Sequence, residues 1–199
     1  NTGGGLGLTL DGQNMVARVW DGGPVRRLHS AFYTSSTNTT SRVTTVDTPF
    51  SSPSTNSSHG THVTGTILAL PWNTTATVLP IKGMATSATA RTFDWTDDES
   101  EAISEVALGM LLSNHSYGVP ITGTSGPLPA WYIGAYVEDS RVWDEIAYNA
   151  PFYLPVYSAG NDGTNNNNLI ASNFRIGFFL VLQLYTRRGL FFLCFQKTK

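Results

Sequence analysis

Cysteine is nearly absent: Cys194 is the only one in 199 residues, so no internal disulfide is possible and packing must hold the fold. Charge is scarce as well, at 13% of residues with a formal net charge of -2. That balance leaves neither a basic field for nucleic acid nor an acidic tail. No apolar run reaches the roughly 18 residues that cross a bilayer, so no membrane partner is expected. The opening Asn1-Thr2-Gly3-Gly4-Gly5 lacks a positively charged stretch followed by an apolar one, so no secretory signal stands in this numbering. What remains suits one soluble domain, or most of one, with 41% hydrophobic residues to build a core.

Short apolar runs alternate with helical patterns. Met15 to Trp20 reads as a buried strand that ends at Asp21 and a Gly22-Gly23-Pro24 turn. Arg42 to Asp47 reads as a second strand, and His59 to Leu70 as a tightly packed helix stopped by Pro71. Thr89 to Trp95 is a further strand. Thr96 and Glu99 fit a capping box before a helix whose Ile103, Val106, Ala107 and Met110 share one face. Leu111 to Gly118 reads as a strand, Val142, Trp143, Ile146, Ala147 and Ala150 form a helical stripe, and Phe152 to Tyr157 is the next strand. This alternation predicts an α/β fold with a mostly parallel sheet, whose strands end on one edge. From Phe174 to Lys199 the chain is rich in Phe and Leu and has no acidic residue, which sets residues 174–199 apart from residues 1–173 as an atypical tail that reads as a truncated or mistranslated end.

Three segments carry candidate chemistry. Asp21 closes a strand on the edge where ligands of α/β sheets gather, although Asp also starts turns for purely local reasons. His59 stands at a helix start between polar and glycine residues, and reads alone either as a helix-start residue or as a general base. Asn161 follows Gly160 at a strand end, where an amide can donate to a developing oxyanion, a contribution of about 3 to 4 kcal/mol. A carboxylate, an imidazole and such a donor together supply most of a hydrolytic site. His59 and His62, three apart on a helix, would also suit a metal hydrolase, but no third ligand cluster accompanies them. The acids Asp94, Asp97, Asp98, Glu99 and Glu101 are accounted for by a helix N-terminus.

Val19-Trp20-Asp21-Gly22-Gly23, His59-Gly60-Thr61-His62-Val63-Thr64-Gly65-Thr66 and Ser158-Ala159-Gly160-Asn161-Asp162-Gly163 resemble, in order, the Asp, His and oxyanion-Asn motifs of the subtilisin-like serine proteases (subtilases, peptidase S8). Lys82-Gly83-Met84-Ala85 and Ser113 to Gly118 look like secreted subtilases of the Bacteroidetes type. The resemblance implies a three-layer doubly wound sheet and a secreted or cell-surface endopeptidase, likewise a monomer, acting on peptides or proteins. Asp21 would orient His59, His59 would act as general base and then acid, Asn161 would serve the oxyanion, and His62 would pack within the helix. Ser116, Tyr117, Gly118, Ala159 and Gly160 would line the substrate site, with the peptide added as a strand. No cofactor is required for that chemistry; structural calcium is a family habit without assigned ligands here.

One departure is severe. The family's nucleophile sits in a Gly-Thr-Ser-Met-Ala-x-Pro motif downstream of the Asn, and none of these 199 residues forms it. Gly123-Thr124-Ser125 imitates its first letters, but precedes Asn161 and lacks the Met-Ala continuation, so Ser125 is not expected to be the nucleophile. The chain thus reads as the N-terminal part of a catalytic domain that stops before its serine and is inactive as it stands, or as a non-catalytic peptide-binding relative.

Overall fold

The computed structural model describes residues 2–3, 8–47, 56–72, 82–119, 122–123, 126–132, 135–158 and 160. The atypical end, residues 174–199, lies outside them. The described residues fall into two compact units, one within Asn1–Asp98 and Leu112–Ser116, the other within Glu99–Leu111 and Tyr117–Lys199.

In the first unit, β1 (Thr2–Gly3) pairs antiparallel with β2 (Leu8–Thr9). The predicted strands follow: β3 (Val16–Asp21), β4 (Val43–Thr45), β5 (Thr89–Asp94) and β6 (Leu112–His115). All pair in parallel, in the order β4-β5-β3-β6. After β3 the chain moves to one side for β4 and β5, then returns to the other side for β6. The strand order therefore reverses at β3, the kind of switch point outside whose carboxyl end α/β sheets bind ligands. Asp21 is the last residue of that strand.

Side chains alternate across the sheet. Trp20 points to one face, where its ring stacks on Phe93 (centroids 4.3 Å apart) and on His115 (4.9 Å), a three-ring pile across β5, β3 and β6. The helix α1 (Ser58–Leu68) turns Gly60, Thr64 and Leu68 inward, a spacing of four that gives one buried stripe. Leu68 joins Val25, Phe32, Val43 and Ala90 in an apolar cluster, with Ile67 against it.

The helix ends at Leu68, short of Pro71, because its last carbonyls find partners outside the helix. Met84, Ala85 and Gly83 donate their backbone N–H groups to Thr66, Ile67 and Ala69. The Lys82-Gly83-Met84-Ala85 turn is thus a clamp on the helix end. A Cβ on Gly83 would lie 2.5 Å from the Leu68 nitrogen and 2.6 Å from that of Ala69, so only glycine lets the two backbones meet.

The second unit contains α2 (Asp98–Ala107, which begins one residue before the boundary), the hairpin of β7 (Thr122–Gly123) and β8 (Gly126–Pro127), α3 (Glu138–Asn149) and β9 (Leu154–Tyr157). In α3, Trp143, Ile146 and Ala147 are buried as the stripe predicts, as is Ala150 just past the helix end, whereas Val142 is only half-buried. Two expectations are corrected. The capping box fails because α2 starts at Asp98, one residue beyond the register that Thr96 would need, and the Thr96 hydroxyl donates to Asp94 instead. The buried face of α2 is also different: Ala102 and Glu105 are inside, whereas Ile103 is 54% exposed, and of the predicted stripe only Met110, past the helix end, is buried. Periodicity marks an apolar stripe, but the surface that the helix packs against selects the buried one.

Candidate active site

Asp21 and His59 come together across 38 positions of sequence. His59 Nδ1 lies 2.8 Å from Asp21 Oδ2 and 3.0 Å from Oδ1. A carboxylate only accepts, so Nδ1 carries the proton and Nε2 is left as an acceptor. The burial is asymmetric: the Asp21 side chain is 3% exposed and that of His59 66%. The arrangement has a fixed acid under a base that faces solvent.

Local chemistry explains the placement. Ser57 caps α1, its hydroxyl accepting from the Gly60 N–H at 2.9 Å. Ser57 N–H donates to the Pro24 carbonyl, and Thr61 Oγ1 accepts from the Arg26 N–H, so the helix start is tied to the turn that follows Asp21. Gly60 lets this happen at close range: a Cβ there would lie 3.3 Å from three Asp21 side-chain atoms. Asp21 is held in turn by the Gly22 N–H, which donates to Oδ1 at 2.8 Å.

The other predicted residues divide. The expected strand stops at His115, three residues before Gly118, but Ser116 N–H still donates to the Trp20 carbonyl at 3.2 Å. Ser116 therefore extends the ladder by one position, level with Asp21 in the parallel register. In the second unit, the Ser158 hydroxyl donates to the Tyr117 carbonyl at 3.1 Å, which brings together the two segments expected to line a substrate site. Gly118 is exposed, and Gly160 adopts a φ of 79° that favours glycine. Ala159, Asn161 and Ser125 lie outside the described residues. His62 is corrected: it is exposed rather than packed within the helix, because the buried stripe runs through Gly60, Thr64 and Leu68. No group of three or more His, Cys, Asp or Glu among the described residues is arranged to hold a metal ion, so His59 and His62 gain no third ligand of that kind there.

Sequence reasoning missed two buried polar groups. His115 is fully buried, with Nε2 2.8 Å from the Ser113 hydroxyl, and burial pushes its imidazole down to about 3. Alternation on a strand could have flagged it, since Ser113 and His115 share one face. Arg42, the other, sits among backbone carbonyls that no sequence pattern reveals. Beside the site, the Asp47 carboxylate accepts the Asp94 N–H at 2.8 Å, and burial, with the Asp94 charge nearby, pushes Asp47 up.

The chain matches the family model described as the subtilase family (peptidase S8) over residues 19–175. Among solved structures it is similar to MycP1 with the N-terminal propeptide removed, at 16% identity and a TM-score of 0.46, covering 79% of this chain and 47% of that one. It is similar also to the PatG macrocyclase in complex with peptide, at 15% identity and a TM-score of 0.46, covering 79% of this chain and 54% of that one. It therefore spans about half the length of these structures. No curated protein matches it.

Proposed function

Because this chain belongs to the subtilase family, we propose that it carries the acid and the base of a secreted serine endopeptidase. Asp21 orients the imidazole and stabilises its cation, and His59 takes the proton of a serine hydroxyl and returns it to the leaving amine. Asn161 donates to the oxyanion. A peptide adds along Ser116, Tyr117 and Gly118, with Ala159 and Gly160 opposite. The observation that carries this reading is the 2.8 Å contact of His59 Nδ1 with the buried Asp21, which leaves Nε2 as the acceptor that a nucleophile requires.

These 199 residues contain no Gly-Thr-Ser-Met-Ala motif; on this reading they supply acid and base without a nucleophile, and by themselves are expected not to cleave peptides. A fluorophosphonate probe is expected to leave it unlabelled; labelling would show that a nucleophile is present after all. A peptidyl chloromethyl ketone tests the base, because it alkylates a histidine nitrogen that is free and held beside a bound peptide. Peptide mapping should find His59 modified faster than His29 and His62, which are exposed without such an orienting acid. Equal rates at the three histidines would refute the assignment.

A further inference from the structure

Arg42 is 9% exposed, yet no carboxylate among the described residues pairs with it. Its partners are backbone carbonyls. Nη1 donates to Thr86 at 3.0 Å and to Ala88 at 2.9 Å, and Nη2 to Leu68 at 2.6 Å and to Ala31 at 3.3 Å. The four terminal N–H bonds are thus all used, while the buried Nε has no partner. Burial pushes the guanidinium down from its ordinary value, but it stays charged, and the negative end of a helix is a natural counterweight.

The Leu68 carbonyl explains why a cation stands there. Met84, Ala85 and Gly83 satisfy the carbonyls of Thr66, Ile67 and Ala69, and Leu68 is the one that this backbone clamp skips. Arg42 supplies the missing donor. The same guanidinium ties the helix end to Ala31 and to the segment that leads into β5.

We infer that Arg42 is a positioning residue for His59, a built-in cation that closes a carbonyl cage at the far end of α1 and so fixes the helix whose first turn presents the imidazole to Asp21. The inference rests on the proposed acid and base roles. Its physical basis is that a largely exposed ring has Asp21 as its sole hydrogen-bond partner among the described residues, so the ring goes where the helix goes. With Ser57 holding one end of α1 and Arg42 the other, the helix cannot slide along its axis.

The test uses nuclear magnetic resonance on the whole chain, with two readouts: the His59 Nδ1–H resonance and the exchange rates of the Ala69, Gly83, Met84 and Ala85 amides. In Arg42→Ala, exchange should quicken roughly tenfold, as expected when a helix end loses one bond, and the His59 resonance should move or broaden. Millimolar guanidinium chloride should restore both, where equal urea or sodium chloride does not. Arg42→Lys keeps the charge but not the planar fork, so it should show the same changes in part; it is also the fallback if Arg42→Ala does not fold. Faster amide exchange with an unmoved His59 resonance would reduce Arg42 to a structural role and overturn the inference, as would wild-type values for both readouts in Arg42→Lys. Asp21→Asn, measured alongside, separates the two levels: a His59 signal indifferent to Asp21 refutes the acid and base reading, whereas one that answers to Asp21 but not to Arg42 refutes positioning alone.

Discussion

Acid should destabilise the first unit through one residue, His115. Its ring is buried under Trp20, opposite Trp20 in the parallel register, and holds Ser113 at 2.8 Å. Folded, the imidazole titrates at about 3; in an unfolded chain its value is about 6.5. Between those values the unfolded state binds a proton that the folded state refuses, so stability falls as pH falls through that window and is unaffected by this group above it. The slope is about 1.4 kcal/mol per pH unit, or ~2 kcal/mol lost between pH 6.5 and pH 5. For a chain of this size that lowers the melting temperature by roughly 4 to 8 °C. Asp47 acts in the opposite sense, because a carboxyl pushed up by burial favours the folded state as pH falls through its own window. The effect of His115 is therefore best isolated as a difference. Urea unfolding from pH 7.5 to pH 5 should be compared between wild type and the double variant His115→Phe with Ser113→Ala, which keeps an aromatic ring in the stack and leaves no hydroxyl stranded. Below pH 6.5 the variant should lose up to about 1.4 kcal/mol per unit less, and above it the two curves should run parallel. Curves that stay parallel over the whole range would refute the assignment of a buried neutral imidazole.

Three further substitutions probe the site and its support. Gly83→Ala drives a Cβ into the Leu68 and Ala69 backbone, which cannot yield, and should cost about 2 to 4 kcal/mol by chemical denaturation; a loss under 1 kcal/mol would mean that the clamp is looser than described. Gly60→Ala gains about 1 kcal/mol of helix propensity but crowds Asp21 at 3.3 Å, so stability should change little while alkylation of His59 by the chloromethyl ketone slows toward the rate of His62. Thr64→Val replaces a fully buried hydroxyl that has no partner among the described residues and should stabilise the chain by about 1 kcal/mol in thermal melts.

Sequence by itself determined the alternation of strands and helices, the strand that ends in Asp21, the helix that starts beside His59, and the family motifs around them, because each is a local pattern of apolar spacing, turn residues and caps. Chain order does not say which strands are neighbours, and the sheet set β3 between β5 and β6, which put Asp21 at the switch point. Tertiary packing also overruled local patterns: α2 buried Glu105 and exposed Ile103, His62 faced outward, and the α1 helix stopped where outside donors met its carbonyls. The contact of Asp21 with His59 and the Arg42 cage belong to the same class. They join groups separated by tens of residues, and a hydrogen bond at 2.8 Å depends on where rigid elements come to rest, which spacing along the chain does not encode.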